Sequence, residues 1–334
     1  MRNIVRTGVV CAFFLAAAGM VFAGGSAEKS QKPIIGISKI VTHPALDAVE
    51  KGIQDQLASM GVDVQYDLQN ANGDVNTAKQ IANKFKAENV AVAVGIATPT
   101  AIALAETMNT TPVVFSAVTD PVGAGLVPSL TQGGKNVTGY SDMTPVKQQI
   151  ELLSKFMHVK RLGHVYSSSE PNAVVLAEMA KKACAELGIE FVPATVSNSA
   201  EVRQATQSIV GRVDAIYVST DNTVVSALSS LTQVATQAKI PVISADPSSA
   251  ETYDILAAYG FDYYTMGRAT GKLVAEILKG KPTSEIPTQF LTDRKDLVLL
   301  VNLDVAKKLG ITLPQSLIDE ANKIVENGQV VNKK

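Results

Sequence analysis

From residue 34 onward the chain alternates short β-branched runs with longer segments of helical period, and this alternation confines it to a parallel α/β architecture. Strands are expected at Ile34 to Ser38, Val62 to Tyr66, Val90 to Val94, Pro112 to Phe115 and Leu162 to Tyr166. Ile189 to Val192, Asp214 to Val218, Pro241 to Ala245, Ile255 to Tyr259 and Leu297 to Val301 continue the series. Between them Leu46, Val49, Ile53 and Leu57 share one helical face. Ala78, Ile81, Ala82 and Phe85 share a second, and Val146, Ile150, Leu153 and Met157 a third. Gly61 and Gly188 follow two of these segments, where glycine takes the left-handed conformation that ends a helix.

At 334 residues the chain is about twice a typical domain, and two sheets are expected in succession. The break between them falls in Lys135 to Pro145, where Gly133-Gly134-Lys135-Asn136 and Thr144-Pro145 interrupt the periodicity. The second sheet reads as complete at Ala245, yet Tyr253 to Lys279 still holds a strand and a helix. A return to the first lobe explains them. The expectation is therefore α/β with two doubly wound parallel-sheet lobes joined by three connecting segments. The first lobe would take residues 33–140 and 247–284, the second 141–246 and 285–331.

The N-terminus has the form of a secretory signal peptide over residues 1–23. Arg2 and Arg6 give a basic start, Val9 to Ala18 an apolar run, and Val21-Phe22-Ala23 a small-residue cleavage site. Cys11 lies inside the apolar run and not at the cleavage point, so an unanchored periplasmic protein is expected, with residues 24–32 as a flexible leader. Cleavage removes two arginines and leaves 28 basic against 31 acidic side chains, which lacks the basic face that nucleic acid requires. Only Cys184 then remains, so no disulfide is expected and stability must come from packing.

In open α/β sheets ligands sit beyond the carboxyl ends of the strands, which directs attention to the residues that follow each run. These are small and polar: Ser38, Thr42 and His43; Thr98 and Pro99; Ser116, Thr119 and Asp120; Ser167 to Glu170 with Asn172; Thr220 to Thr223; and Asp246. Hydroxyls and free N–H groups at helix starts suit a carboxylate, and Asp120, Asp221 and Asp246 suit an ammonium, so together they suit a zwitterion. The same residue types are the preferred N-caps of helices, and a single serine or threonine here is expected to cap. Asp120 and Asp221 lie in polar runs longer than one cap requires, and ligand contact and capping weigh equally for them. For His43, before Pro44 at a helix start, capping or packing outweighs catalysis.

His43, His158 and His164 are too scattered for a zinc site, and no nucleophile elbow or phosphate loop occurs. Neither an enzyme nor a cofactor is expected.

Particular phrases carry a family resemblance. They are Gly36-Ile37-Ser38-Lys39 leading to His43-Pro44-Ala45-Leu46-Asp47, the stretch Val114 to Val127 with Thr119-Asp120-Pro121-Val122-Gly123-Ala124-Gly125 at its centre, Thr220-Asp221-Asn222-Thr223 and Asp262-Tyr263-Tyr264. They resemble the ABC transporter substrate-binding proteins of the tryptophan/tyrosine type, over roughly Pro33 to Leu317. The resemblance implies a type I periplasmic-binding-protein fold with three hinges, capture of a small solute between the lobes, and delivery to a permease with its ATPase. A monomer is expected. Carried onto this chain, the cleft set is Thr98, Ser116, Thr119, Asp120, Asn172, Thr220, Asp221, Asn222 and Asp246, to which the strand-end reading adds Ser38. Phe115, Tyr140 and Tyr166 are open candidates for an aromatic wall or for core. Asp221→Lys is expected to abolish binding of an amine without unfolding the protein.

Overall fold

A computed structural model describes residues 32–293 and 296–333; the signal peptide and all but the last residue of the leader lie outside them. The first sheet is wholly parallel. Its strands are β1 (Ile34–Lys39), β2 (Gln65–Asn70), β3 (Val92–Ile96), β4 (Val113–Val118), β5 (Val137–Ser141) and β11 (Gln289–Phe290), in the order β11-β5-β4-β3-β1-β2. The second sheet holds β6 (Arg161–Ser167), β7 (Glu190–Val196), β8 (Ala215–Val218), β9 (Val242–Ser244), β10 (Ala257–Phe261), β12 (Leu297–Asn302), β13 (Lys323–Glu326) and β14 (Gln329–Asn332). Their order is β14-β13-β12-β10-β9-β8-β6-β7, with antiparallel pairing only at β10–β12 and β13–β14.

Helices flank both sheets because their apolar stripes have a face to cover. Leu46, Val49, Ile53 and Leu57 of α1 (Pro44–Ser59) and Ala78, Ile81, Ala82 and Phe85 of α2 (Val75–Ala87) are all buried against the first sheet. Val146, Ile150 and Leu153 of α4 (Val146–Ser154) bury against the second, whereas Met157 lies beyond the helix end and is half-buried. The one strand that the apolar run misplaces is β2, expected at Val62 to Tyr66 and found at Gln65–Asn70. It is the edge of its sheet, so its exposed face needs no apolar residues and its true extent is polar.

The two sheets divide the chain differently from the expected boundaries. The strand β10, assigned to the first lobe on sequence, lies in the second sheet between β9 and the antiparallel β12. Its successor α10 (Tyr263–Leu278) does return, packing on α1 in the first lobe's core. The strand β11, expected in the second lobe, closes the edge of the first sheet. The chain thus crosses between lobes at residues 141–145, at Phe261 to Asp262, and between β11 and β12.

These crossings are tied to one another. The Tyr263 hydroxyl, one residue past the second crossing, donates to Asp142 Oδ2 in the first at 2.9 Å, and Asp262 N–H donates to the Asp296 carbonyl in the third at 3.0 Å.

Contact between α1 and α10 is set by glycines. A Cβ on Gly52 would lie 2.4 Å from the Tyr264 carbonyl oxygen, one on Gly267 2.2 Å from that of Val49, and one on Gly271 2.8 Å from that of Ile53. The two backbones touch where only a hydrogen fits.

Candidate functional site

The carboxyl ends of both sheets face each other, and the helices that follow the strands aim their first turns into the gap. They enclose a narrow cavity of about 20 Å³. The first lobe contributes His43, Ala45 and Leu46 at the start of α1, Ala117 and Thr119 at the end of β4, and Tyr263 at the start of α10. Asp142 reaches it from the first crossing. From the second lobe come Asn172 at the start of α5 (Pro171–Leu187), Thr220, Asn222 and Val225 around α7 (Asn222–Ser226), and Asp246, the N-cap of α9 (Pro247–Ala250).

Local backbone geometry places part of this wall. The pairing of β4 with β5 slips between Phe115 and Val118, a bulge that re-aims the strand end. Within it Ala117 takes a positive φ of 55°, a conformation that costs a non-glycine residue of the order of 1 kcal/mol and points its methyl to the cavity.

A polar network spans the gap. His43 Nε2 lies 3.4 Å from Asn222 Oδ1, linking the lobes. The Asn222 amide donates to Glu170 Oε2 at 2.5 Å, and the Thr223 N–H and hydroxyl donate to Glu170 Oε1 at 2.8 and 2.6 Å. Burial lowers the His43 pKa, outweighing the opposing pull of Asp246, so the ring is neutral at pH 7. Asp142 is only 3% exposed, and its oxygens are met by two hydroxyls: Thr119 to Oδ1 at 3.3 Å and Tyr263 to Oδ2 at 2.9 Å. Burial pushes its pKa up to about 6.

Buried polar atoms without a hydrogen-bond partner gather at this end of the sheets. His43 Nδ1, Asn172 Oδ1 and Thr220 Oγ1 belong to cavity-lining residues, and Ser38 Oγ, Thr98 Oγ1 and Ser219 Oγ lie at the neighbouring strand ends. Native interiors rarely leave such groups unsatisfied, because each costs about 1–3 kcal/mol. A polar solute between the lobes would satisfy those on the wall.

Of the residues singled out on sequence, Thr119, Asn172, Thr220, Asn222 and Asp246 come together on the cavity wall. The others lie off it, for identifiable reasons. Ser38 and Thr98 are buried behind it with free hydroxyls. Ser116 bonds the Thr270 hydroxyl at 2.8 Å and so fastens β4 to α10. Asp120 accepts the Gly123 N–H at 2.9 Å and closes a turn. Asp221 is fully buried as the N-cap of α7, with Val224 N–H on Oδ1 at 3.0 Å and Ser167 N–H on Oδ2 at 2.6 Å. Both of its oxygens are thus engaged in a structural cap.

Beside the apolar Ala45, Leu46, Ala117 and Val225, the wall holds His43, Asp142 and Tyr263, none of them in the cleft set, although His43 was noted after the first strand. His43 holds the N-cap position of α1 without a side-chain cap bond, leaving its ring to turn inward. Asp142 and Tyr263 flank crossings, and a residue there can face both lobes. None of the open aromatic candidates lines the cavity. Phe115 is core, Tyr140 packs partly buried against that core, and Tyr166 stacks on His164. Tyr263 is the aromatic side chain on the wall.

Two doubly wound lobes, three crossings and a cavity shared between strand ends define a type I periplasmic-binding-protein fold. The chain belongs to the ABC transporter substrate binding protein family, whose model matches residues 34–325. It is 36% identical to a tyrosine-binding protein of Clostridioides difficile, over 85% of this chain and 82% of that one. Among solved structures, a conserved domain protein from Vibrio cholerae is 43% identical with a TM-score of 0.85, covering 89% of this chain and all of that one. A Streptococcus pneumonia ABC domain in complex with L-Trp is 34% identical with a TM-score of 0.84, covering 88% of this chain and all of that one.

Proposed function

We propose that this protein is the exported receptor of an ABC importer, capturing an aromatic amino acid between its lobes and presenting the closed form to a membrane permease and its ATPase. It works in the periplasm as a monomer, binds without transforming its cargo and needs no cofactor. The observation that carries this reading is the interlobe cavity, which combines unpartnered buried polar atoms with carboxylates and an apolar side. Its free space is about 20 Å³, room for little more than one water, so a solute would enter only when the lobes part.

Charge distribution supports a zwitterion. Asp142 and Asp246 give the wall negative groups, while α1, α5 and α10 direct the positive ends of their dipoles at it. Ala45, Leu46, Ala117, Val225 and the Tyr263 ring form the apolar part, which would receive an aromatic side chain. The relatives that bind tyrosine and L-Trp point to the same class. Contacts from both lobes are what allow a solute to favour closure, since a ligand that touched one lobe alone could not shift the balance.

The test is a thermal-shift panel of amino acids, nucleosides and sugars on protein stripped of ligand by unfolding and refolding. Ligand at about 100 times its Kd should add roughly 2.7 kcal/mol, raising the midpoint by a few degrees. The chain contains no tryptophan, so bound tryptophan would report itself by fluorescence against a tyrosine background. Response to tyrosine, tryptophan or phenylalanine is the expected result. Silence to these with response to another class would discard the cargo.

A further inference from the structure

We infer that Asp142 receives the cationic nitrogen of the bound solute, so that the charge the cavity selects is read on the segment where the chain first passes between its lobes. This rests on the interlobe cavity being the solute site. The acidic groups around the cavity differ in what already occupies their oxygens. Asp246 accepts the Ser248 and Ser249 N–H groups and the Ser249 hydroxyl in capping α9. Asp221 holds two backbone N–H groups, Glu170 holds Thr223 and Asn222, and neither lines the cavity. Asp120 closes its turn outside the wall.

Asp142 is the exception. It lines the cavity, it is almost fully buried, and the donors on its oxygens are hydroxyls, which can turn away or share an oxygen when a stronger donor arrives. Buried carboxylates are ordinarily paired with a cation. A solute ammonium entering the cavity supplies one and gains a charge-assisted hydrogen bond in a low-dielectric site. The Tyr263 hydroxyl on the same carboxylate belongs to α10, just past the second crossing, so cation capture touches the contact that ties two crossings together.

The titratable groups facing Asp142 are the Tyr263 phenol from α10 and, across the cavity, His43 from α1 and Asp246 from α9. A carboxyl whose pKa lies near 6 is about nine-tenths ionised at pH 7 and about one-tenth at pH 5. Amine affinity therefore falls roughly tenfold over that interval, while affinity for a solute lacking the amine does not.

Calorimetric titration of the native protein and of Asp142→Asn tests the assignment. The probes are L-tyrosine, L-tryptophan, tyramine, L-leucine, L-lysine, the deaminated acid 3-(4-hydroxyphenyl)propanoate, uridine and glucose. The native protein should prefer amines, and Asp142→Asn should bind them at least 50-fold more weakly while holding the deaminated acid within threefold, which also certifies its fold. Retention of the amines within threefold, equal loss of the deaminated acid, or native preference for an uncharged solute would overturn the inference. If leucine or lysine displaces tyrosine as the best ligand and Asp142→Asn abolishes its binding, the aromatic reading fails and the inference stands. Should Asp142→Asn not fold, the native protein decides by its amine affinity at pH 5 and 7. The tenfold difference, seen for amines and absent for the deaminated acid, supports the inference, and an equal pH response of the two overturns it.

Discussion

Gly267→Ala lowers stability by about 2 kcal/mol or more, although alanine is the better helix former by roughly 1 kcal/mol. The two effects oppose each other, and geometry decides between them. The new methyl would stand 2.2 Å from the Val49 carbonyl oxygen and 2.9 Å from its Cα, both backbone atoms of α1 that cannot rotate aside. The helices would have to part, and the buried Val49, Ile53 and Met266 around the contact would lose their close packing. Because α1 carries His43, Ala45 and Leu46 and α10 carries Tyr263, solute affinity should fall with stability. Urea unfolding of the variant beside the native protein checks this; equal or greater stability would mean that the helices are not in backbone contact.

Asp221→Lys is expected to leave no folded protein at 25 °C, a loss on the order of 4 kcal/mol or more. This reverses the outcome expected on sequence, in which the variant folds and merely fails to bind. Asp221 is fully buried, and its two oxygens satisfy the N–H groups of Ser167 and Val224, so replacement strips both donors and places a cation where no solvent reaches. Asp221→Asn keeps the shape and one acceptor, and its loss should be about 1–2 kcal/mol. The comparison also carries a pH signature. Burial, and then the charge of Glu170, pushes the Asp221 pKa up to about 8, above its unfolded value near 4. A raised folded pKa gives a contribution that is full below pH 4 and lost as pH climbs towards 8, so the stability gap between native and Asp221→Asn narrows over that window. Denaturant titrations at pH 5 and 8 measure it, and a gap that widens with pH would refute the sign.

What the sequence made legible follows from the range of the forces involved. Helical faces such as Leu46, Val49, Ile53 and Leu57 are local patterns, and the core buries every one of them. The lobe of β10 could not be read locally, because its place is fixed by antiparallel pairing of Ala257–Phe261 with Leu297–Val301, some 40 residues away in the chain. The polar residues after each strand were visible, but the roles within that set depend on where each oxygen finds its donor. Asp221 turns to backbone N–H groups, Ser116 to Thr270, and Thr220 to the cavity with its hydroxyl unpartnered. Asp142 escaped notice because it follows β5, inside the break at Lys135 to Pro145 that marked the crossover. A polar residue within such a break is adjacent to both lobes by construction, and that was the available signal.

The ties between crossings govern how the lobes can travel. Three independent cords would let one lobe slide, twist or swing against the other. Fastened abreast, through Tyr263 on Asp142 and Asp262 on Asp296, they act as a single ribbon that bends across its width and resists shear within its plane. On the proposed function, the lobes would have one track between apart and together, and every solute that bridged them would arrive at the same closed outline, whatever its side chain.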